Sequence, residues 1–424
     1  MRRTLTSALP HATPGEEVRL QGWVHRRREL AKVTFLVVRD RAGLAQVVLP
    51  AGTELPPEET PIEVVGTATA NAQAPGGVEV TDATVTALGE AADTPAVELW
   101  RPTLETGLPT MLDHAATTWR HPVQRAKWEV AAASLRGFRE TLDAQDFTEV
   151  HSPKLVEQAT ESGATVFEVD YFGRPAYLAQ SPQFYKQVLV GIFERVYEVG
   201  PVFRAEPHDT VRHLAEYVSL DVELGFVRDH HEVMECLRDV VAGMVEGVRR
   251  YAGAAVERLG IDVPDVPEKI PTLHFRDALE IAGAPSDEPD LSPAHERALG
   301  EWAMAEHGSD FVFVEGYPTA NRAFYSHPDP EDPRWSRSFD LIFRGIELVS
   351  GAQRMHRYDE YVRTLEQRGY PYAPYASYVE AFRRGIPPHG GFAIGLERWV
   401  GRLVEAPNIR EVTLFPRDLH RLAP

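Results

Sequence analysis

The first part of the chain alternates between apolar and polar positions with a period of two. Five short runs rich in β-branched residues follow this pattern between positions 17 and 90, separated by Gly, Pro and charged turns. Such alternation is typical of strands with one buried face. Five strands in about 75 residues predict a small Greek-key barrel, and the oligonucleotide-binding (OB) fold is the common five-stranded barrel of this kind.

The pattern changes to a helical period near residue 125. Residues 123–145 place Ala, Leu and Phe at helical spacing, and residues 230–252 predict a strongly amphipathic helix. The segment 255–310, rich in Pro, Asp and Glu, predicts an irregular insertion with helices. Strand-like runs occupy much of the remainder, so we expect an α+β domain built on a mainly antiparallel sheet flanked by helices.

These changes divide the chain into three parts. We assign a barrel domain to residues 1–90, a hinge rich in Pro and acidic residues to 91–122, and a large domain to 123–424. A length of 424 residues is sufficient for two or three domains.

Composition narrows the class of protein. A net charge of −19 argues against non-specific coating of DNA, which needs many Lys and Arg at the phosphates. The single cysteine, Cys236, excludes an internal disulfide framework. No run approaches the roughly 18 apolar residues of a membrane span, and the first residues lack the apolar core of a signal peptide. We therefore expect a cytoplasmic protein without a membrane partner.

The stretch "VFRAEPHDTVRHLAEYVSLDVEL", residues 202–224, predicts a strand, a charged loop and a return strand. Arg204 and Glu206 are two positions apart and would share one face of the first strand. Arg212 and His213 end the loop. Guanidinium groups at the base and tip of such a hairpin match phosphate oxygens and could clamp a triphosphate. An ordinary charged hairpin is the alternative.

The stretch "FDLIFRGIELVSGAQRMHR", residues 339–357, predicts a hairpin that turns at Phe343–Gly345. Asp340 and Glu347 would be close cross-strand partners, where like charges are destabilising without a cation. Together with the hydroxyl of Ser350, their oxygens suit Mg²⁺ bound with a nucleotide phosphate. A pair of satisfied polar strand residues is the alternative.

Two further segments carry weaker signals. In "PPHGGFAIGLERWV", Gly395 precedes a predicted helix that carries Arg398, which could cover a purine face or a γ-phosphate. No Walker A sequence is present there. In "FTEVHSPKL", a long helix leads to a strand that we expect to end at Pro153.

The stretch "AQSPQFYKQ", residues 179–187, surrounds Lys186 with amides and a hydroxyl. Such groups could hold its ammonium in a pocket for a small anionic ligand. A solvated surface lysine is the alternative.

In their order along the chain, these segments resemble a known family. The helix and strand before Pro153, "FRAE" with "RHLAEY", and "GLER" are similar to the three motifs of class II aminoacyl-tRNA synthetases. The barrel, with "GWVH", "FLVVRD" and "AQVV", resembles the anticodon-binding domain of the Asp/Asn/Lys subgroup. The resemblance implies an N-terminal OB-type barrel joined to a class II catalytic domain, with ATP, Mg²⁺ and tRNA as ligands, and a homodimer.

Within this family, "QSPQFYKQ" resembles the aspartyl enzymes, whose lysine at this position reads the carboxylate of the substrate side chain. The asparaginyl enzymes lack that lysine. We expect that Lys186, if buried against a neutral amide, would be left unpaired at a high cost. The interval from Arg204 to Arg398 is too short for the further domain of the usual bacterial form, so the layout resembles the compact archaeal type.

The resemblance also implies roles for individual residues. Aspartate would be bound by Glu161, Ser181, Gln183, Phe184, Tyr185, Lys186, Arg204, Ser350 and Arg354. ATP would be bound by Arg204, Ala205, Glu206, Arg212, His213, Leu214, Glu347, Gly395, Leu396, Glu397 and Arg398. Magnesium would be held by Glu347, Ser350 and Asp340, and the predicted catalytic residues are Arg204, Arg398 and Glu347.

The resemblance extends to the anticodon. Phe35 would stack on the central U, Gln46 would contact its edge, and Glu79 would add a contact; a core position in the barrel is the alternative for Phe35. His25 and Pro75 differ from the enzymes restricted to tRNA-Asp and resemble the relaxed subgroup, which also places aspartate on tRNA-Asn. A tRNA-dependent amidotransferase then converts that product.

The function implied is attachment of L-aspartate to tRNA-Asp and tRNA-Asn through aspartyl-adenylate. Four alternatives remain open at this point. They are an aspartyl enzyme restricted to tRNA-Asp, an asparaginyl-tRNA synthetase, a paralogue that makes free asparagine, and a non-catalytic nucleic-acid-binding module. Such paralogues generally lack the anticodon barrel. A non-catalytic module need not keep Arg204, Glu206, Glu347 and Arg398 together.

Overall fold

The computed structural model describes residues 2–91, 93, 95–157, 166–205, 207 and 209–423. The chain separates into two compact units, Met1–Arg125 and Ala126–Pro424. Each unit has a hydrophobic core of its own. No helix among the described residues is long and apolar enough to cross a membrane.

The first unit is a closed barrel, as the alternation of apolar and polar positions predicts. Its strands are β1 (Glu17–Glu29), β2 (Val33–Arg39), β3 (Leu44–Pro50), β4 (Pro61–Ala70) and β5 (Val78–Ala87). They close in the order β1-β2-β3-β5-β4, and the β3–β5 pair is parallel. In β2 the burial alternates, so that Leu36 and Val38 enter the core while Phe35 and Val37 face outward.

The predicted hinge contains more regular structure than its composition indicates. Helix α1 (Leu108–Asp113) begins with a proline in its first turn, where a missing N–H costs nothing. Helix α2 (Ala115–Thr118) follows, and α3 (Pro122–Asp143) contains the division between the two compact units. The boundaries 1–90, 91–122 and 123–424 stay predictions.

The second unit is built on an eight-stranded sheet in the order β12-β13-β14-β15-β16-β11-β10-β6. Its strands are β6 (Thr148–Glu149), β10 (Arg195–Phe203), β11 (Glu216–Gly225), β12 (Thr272–His274), β13 (Phe311–Glu315), β14 (Ser338–Phe343), β15 (Ile346–Arg354) and β16 (His389–Gly395). Only the two edge pairs, β12–β13 and β6–β10, are parallel. The mainly antiparallel α+β prediction is therefore confirmed. A separate small sheet contains β7 (Leu155–Val156), β9 (Arg174–Leu178) and β8 (Glu168–Tyr171).

Helices cover this sheet and complete its core. They are α4 (Gln183–Phe193), α5 (His230–Tyr251), α6 (Gly253–Leu259), α7 (Phe275–Ile281), α8 (Pro293–His307), α9 (Tyr358–Gln367), α10 (Tyr372–Val379) and α11 (Leu396–Leu403). The helices α3 and α5 approach so closely that a Cβ on Gly137 would lie 2.1 Å from the carbonyl oxygen of Gly243. Glycine is required at this crossing because no side chain fits between the two backbones.

Two local predictions were wrong. Strand β6 ends at Glu149 and does not extend to Pro153, which has no N–H to continue the ladder. Strand β10 ends at Phe203, so Arg204 lies in the loop and not on a strand face shared with position 206. The Arg204 N–H donates to the carbonyl oxygen of Ala215 at 2.9 Å, and this hydrogen bond joins the two ends of the loop.

Candidate active site

A cavity of about 460 Å³ lies in the second unit, within the size range of small-molecule sites. It brings together side chains from the β10–β11 loop, α4, the strands β15 and β16, and the start of α11. The residues expected from the sequence that line it are Ser181, Gln183, Lys186, Arg204, Arg212, His213, Leu214, Glu347, Ser350, Arg354, Gly395, Glu397 and Arg398.

Other expected site residues do not line the cavity. Phe184 stacks on Tyr378 with 4.2 Å between ring centroids, inside an aromatic cluster. Leu396 is fully buried in the core, and Tyr185 is partly exposed on α4. Ala205 is also absent from the cavity wall. Glu161 and Glu206 lie outside the residues that the structure describes.

A buried ion network centred on Lys186 adjoins the cavity, and Lys186 and Arg354 belong to both. Its Nζ lies 3.0 Å from Asp221 Oδ1 and 3.4 Å from Glu223 Oε2. Arg354 Nε lies 3.1 Å from the other oxygen of Glu223. Ser219 donates its hydroxyl to Asp221 at 2.6 Å. Two cations and two carboxylates are therefore balanced before any substrate enters.

This network corrects the physical argument about Lys186. We expected that the lysine would be unpaired against a neutral amide. It is 2% exposed and paired with Asp221 and Glu223, so a neutral ligand would not leave it without a counter-ion. Charge pairing at Lys186 alone therefore does not discriminate between aspartate and asparagine.

A second group of buried polar side chains, Gln187, His389 and Tyr361, lies beside this ion network. The Gln187 amide nitrogen lies 2.9 Å from His389 Nε2 and donates to the hydroxyl of Tyr361 at 3.1 Å. Burial lowers the pKa of His389 to about 4, so its ring is neutral near pH 7. Position 391 must be glycine, because a Cβ there would lie 2.1 Å from Glu223 Oε2. Sequence reasoning identified neither His389 nor Glu223.

The strands β14 and β15, which carry the predicted magnesium ligands, pair in a different register from the one expected. The hairpin turns at Arg344 and Gly345, which both have positive φ, but the extra residue Leu348 makes a bulge in β15. The turn places Glu347 opposite Ile342, and the bulge then moves Asp340 from Val349 to Ser350, so Asp340 and Glu347 are not the cross-strand pair that was predicted.

Arg322, which sequence reasoning missed, occupies part of this site. Its guanidinium donates to Asp340 Oδ2 at 2.6 Å and to the hydroxyl of Ser350 at 3.2 Å. It also lies over the ring of Tyr317, 3.6 Å from the centroid. Arg322 follows β13 in an irregular segment where no period marks a functional position.

Two features of this region indicate that a further cation fits. The buried Oδ1 of Asp340 has no hydrogen-bond partner among the described residues. Withdrawal from bulk water and then the charge of Asp340 raise the pKa of Glu347 to about 7, although 42% of its side chain remains accessible from the cavity. A divalent ion would satisfy the free oxygen and lower that pKa.

The loop between β10 and β11 is anchored by residues far away in sequence. Arg410 is 6% exposed and donates to Asp209 at 2.7 Å and to the carbonyl oxygen of Thr210 at 3.0 Å. Glu296 on α8 lies 3.6 Å from Arg212 and accepts the N–H of Glu347 at 2.9 Å. The predicted insertion thus contributes a positioning carboxylate, which composition alone did not indicate.

Helix α11 contributes two adjacent charged residues with different surroundings. Arg398 donates to the carbonyl oxygen of Glu347 at 2.9 Å and lies at the cavity wall. Both carboxylate oxygens of Glu397 accept the N–H of Val218 at 3.1 Å. Burial is the main cause that raises the pKa of Glu397 to about 7. Arg398 lines the cavity, whereas Glu397 binds the helix to β11.

Most charged side chains that line the cavity are cations, and four of them are paired with carboxylates that do not line it. Among the described residues that line it, the permanent cations are Lys186, Arg204, Arg212, Arg322, Arg354 and Arg398, and the carboxylates are Glu347 and Glu397. This excess occurs in a chain whose net charge is −19. Local concentration of one sign in a cleft attracts ligands of the opposite sign.

The barrel brings together the residues expected to read an anticodon. Phe35 lies on the outer face of β2, and Gln46 lies diagonally across from it on β3, because Val37 is paired with Gln46. Glu79 Oε2 accepts hydrogen bonds from Gln46 and from Asn71, each at 2.9 Å. Phe35 is thus partly exposed and not a residue of the barrel core, which was the alternative for it. The sequence did not indicate Asn71 as a neighbour of this group.

The other two anticodon candidates differ in exposure. Pro75 is exposed in the β4–β5 connection. His25 is only 6% exposed, and its Nδ1 lies 3.1 Å from Arg39, which forms a bidentate pair with Glu59. Burial lowers the pKa of His25 to about 4. An effect of His25 on tRNA would therefore have to act through its neighbours.

Comparison with known proteins agrees with this arrangement. Residues 108–419 match the family described as tRNA synthetases class II (D, K and N). The chain is 46% identical over 414 residues to the Aspartate--tRNA(Asp/Asn) ligase of Thermus thermophilus, with 97% of each chain covered. It is 44% identical to the ligase of the same name from Deinococcus radiodurans, with 100% of this chain and 99% of that relative covered. The chain therefore belongs to the class II tRNA synthetases of the D, K and N group.

Solved structures share the whole architecture. The asparaginyl-tRNA synthetase of Pyrococcus horikoshii, complexed with asparaginyl-adenylate, superposes with a TM-score of 0.92 at 30% identity and covers all of both chains. The aspartyl-tRNA synthetase of Entamoeba histolytica gives 0.87 at 27% identity, covering 100% of this chain and 93% of its own. The fold is thus common to enzymes of both amino acids, and the predicted OB-type barrel with a class II catalytic domain is confirmed.

Proposed function

We propose that this chain attaches L-aspartate to tRNA through aspartyl-adenylate and charges both tRNA-Asp and tRNA-Asn. Its relatives from Thermus thermophilus and Deinococcus radiodurans, both named Aspartate--tRNA(Asp/Asn) ligase, support this assignment. ATP is a substrate of the class to which the chain belongs.

The observation that carries the proposal is the cationic cavity. Aspartate has two carboxylates and ATP has a triphosphate, so both substrates are anions that this wall attracts. Lys186 and Arg354 line the cavity and would bind the side-chain carboxylate. Four of the six cations at the wall are already paired with carboxylates, so the cavity supports anionic substrates in general, and the choice of aspartate over a neutral amino acid rests on the relatives.

The reaction needs no protein nucleophile. An oxygen of the aspartate α-carboxylate attacks the α-phosphorus of ATP, and the bond to the departing pyrophosphate breaks. Arg204 and Arg398 would neutralise the charge that develops on the phosphate oxygens, and Glu296 holds Arg212 beside them. The terminal ribose hydroxyl of tRNA then attacks the adenylate carbonyl and releases AMP.

The same proposal includes Mg²⁺. Glu347, Asp340 and the hydroxyl of Ser350 would hold it, and the free Oδ1 of Asp340 supports this choice of ligands. When bound, such an ion would neutralise phosphate charge and help to orient the triphosphate.

The anticodon part of the proposal uses the outer face of the barrel. Phe35 offers an aromatic platform for one base, and Gln46 offers hydrogen-bonding groups beside it. The anticodons of tRNA-Asp and tRNA-Asn differ in the third base, so a surface that reads the central base accepts both. The exposed Pro75 is compatible with this relaxed reading.

The decisive experiment is charging with labelled aspartate on transcripts of tRNA-Asp and tRNA-Asn, alongside aspartate-dependent ATP–pyrophosphate exchange. We expect comparable charging of both transcripts. Charging of tRNA-Asp alone would identify a restricted enzyme and overturn the argument from His25 and Pro75. Exchange that depends on asparagine instead of aspartate would overturn the choice of amino acid, and absence of exchange would overturn the catalytic proposal.

Three further expectations belong to this proposal. We propose a homodimer and a cytoplasmic location, both from the resemblance to the family. Where tRNA-Asn is charged with aspartate, a tRNA-dependent amidotransferase would consume the product. Light scattering of the purified chain tests the first of these, since a monomer would contradict it.

A further inference from the structure

A cluster of side chains with metal-binding chemistry lies outside the cavity. It consists of His327, His356 and Glu360, which we call the His327 cluster. One nitrogen of each ring and one carboxylate oxygen all lie within 4.8 Å of one another. The three residues come from the segment before β14, the residues just after β15, and the first turn of α9. We propose that the His327 cluster binds a Zn²⁺ ion.

The hydrogen bonds around the cluster leave acceptor atoms without donors. His327 Nδ1 donates to the carbonyl oxygen of Pro328 at 2.6 Å, so its Nε2 retains a lone pair. His356 Nδ1 and Glu360 Oε2 are withdrawn from solvent and have no hydrogen-bond partner among the described residues. Buried polar atoms normally have partners, so a group absent from the protein itself is expected here.

The residue types and their surroundings suit zinc. Two imidazoles and one carboxylate form a known zinc set that leaves a fourth position for water. A ligating histidine usually donates its other N–H to a backbone carbonyl, as His327 does to Pro328.

Binding requires a modest contraction of the cluster. Tetrahedral zinc with bonds of about 2.1 Å places its ligand atoms roughly 3.4 Å apart. The three ligand atoms of the cluster lie up to 4.8 Å from one another, so they must move closer together. Rotation of the Glu360 side chain can supply much of this change. Arg357 lies 3.9 Å from the other carboxylate oxygen, Oε1, and leaves Oε2 for the ion.

A second cluster of the same composition provides a contrast within the chain. His230 Nε2 and His231 Nε2 lie 2.9 and 3.1 Å from one oxygen of Glu315. That carboxylate oxygen already accepts the N–H of His230, and His231 Nδ1 is hydrogen-bonded to Asp229, so this cluster lacks the unpaired carboxylate oxygen that Glu360 offers. His231 is half exposed, which makes it a suitable position for a matched control.

An ion at the His327 cluster would join two segments that form part of the cavity wall. Ser326 lines the cavity and forms an isolated bridge with Arg354, and the N–H of Met355 donates to the carbonyl oxygen of Tyr325 at 2.9 Å. The ion would add a bond between the next residues along each segment, His327 and His356. Because only the folded chain assembles the three ligands, the ion should also raise the unfolding temperature.

The test uses Co²⁺ as a spectroscopic substitute for Zn²⁺ on chelator-treated full-length protein, with excess Mg²⁺ present to occupy the carboxylates of the cavity. We expect one equivalent of Co²⁺ per chain with a visible d–d band, and we expect Zn²⁺ to displace it. His327→Gln and Glu360→Gln should each weaken binding by more than about 100-fold, beyond the usual effect of losing an outer-shell partner. His231→Gln should leave binding unchanged.

Unfolding temperature provides the second measurement and distinguishes loss of the site from loss of the fold. Zn²⁺ should raise the midpoint for wild type and His231→Gln, but not for Glu360→Gln, whose midpoint without metal should match that of wild type. Absence of bound metal in the wild type would overturn the proposal. Binding that survives Glu360→Gln and His327→Gln but disappears in His231→Gln would place the site at the other cluster and equally overturn it.

Discussion

The barrel face and the cavity are the two candidate binding surfaces of this chain, and their polar groups are held in opposite ways. On the barrel, Phe35 and Gln46 project from adjacent strands and are partly exposed. In the cavity, Lys186 and Glu223 are almost completely buried and are paired before any ligand enters. The proposed anticodon face is therefore partly open to solvent, whereas the cavity holds paired charges in a fixed arrangement.

The difference has a physical reason. A flexible nucleic acid can be held by stacking and by charges in water, where each contact contributes little and tolerates adjustment. Phosphoryl chemistry needs charges that are positioned before the reaction, in a site with little water. Removal of one cavity charge should therefore have a much larger effect than removal of one surface contact.

The largest effect is expected when the buried network is broken. Lys186→Met leaves Asp221 and Glu223 short of one cation, and we expect a loss of about 3–5 kcal/mol in the free energy of unfolding. The partly exposed pair Arg19–Glu63 in the barrel is the control, where Arg19→Ala should cost about 1 kcal/mol or less. Urea unfolding measures both, and similar losses would remove the contrast between the two regions.

A second prediction concerns rate. Arg204→Ala should lower aspartate-dependent pyrophosphate exchange by roughly 10²–10³, because a donor positioned for the transition state is lost. Arg195, at the exposed start of β10, is the control, and Arg195→Ala should leave the exchange rate unchanged. Equal activity of the two variants would show that Arg204 does not act on the reacting phosphate.

A third prediction uses pH. The pKa of buried Glu397 is about 7 in the folded chain against an ordinary value of 4.5, so the folded state keeps a proton that the unfolded state releases. Stability should fall by up to about 3 kcal/mol as pH rises from about 4.5 to about 7, and then level off. Glu397→Gln should remove this slope in urea unfolding measured across that range.

In the barrel, His25 should give a slope of the opposite sign. Its folded pKa is about 4 against an ordinary 6.5, so only the unfolded state takes up a proton between these values. Stability from this group is lost as pH falls through that window, and His25→Gln should remove that loss. If Glu397→Gln and His25→Gln altered the slope in the same direction, the assigned protonation states would be wrong.

The smallest effect is expected at the barrel face. Phe35→Ala should reduce kcat/KM for tRNA by about 5–150-fold, equivalent to roughly 1–3 kcal/mol for one stacked base. Pyrophosphate exchange without tRNA should not change. The control is Leu88→Ala, another exposed apolar residue of the barrel unit. A defect in exchange by Phe35→Ala would contradict a role limited to tRNA.

Short stretches of sequence predicted those strands, turns and helix ends whose conformation is set by neighbouring residues. The period of two in residues 17–90 predicted all five barrel strands, because one face of each strand is buried and the other is not. The turn at Arg344–Gly345 and the start of α11 after Gly395 also follow from nearby residues. The turn itself pairs Glu347 with Ile342 and not with Asp340, and the pattern did not reveal the bulge at Leu348, which pairs Asp340 with Ser350.

The sequence by itself determined the class of this protein, since its motifs occur in an order and spacing that match the class II synthetases over residues 108–419. Only the tertiary structure decided how the charges are paired. Asp221 and Glu223 meet Lys186, and Arg322 meets Asp340, across distances in sequence that no periodicity connects. Such contacts depend on the packing of strands and helices, because the cost of burying a charge is decided by the partner that the fold brings to it.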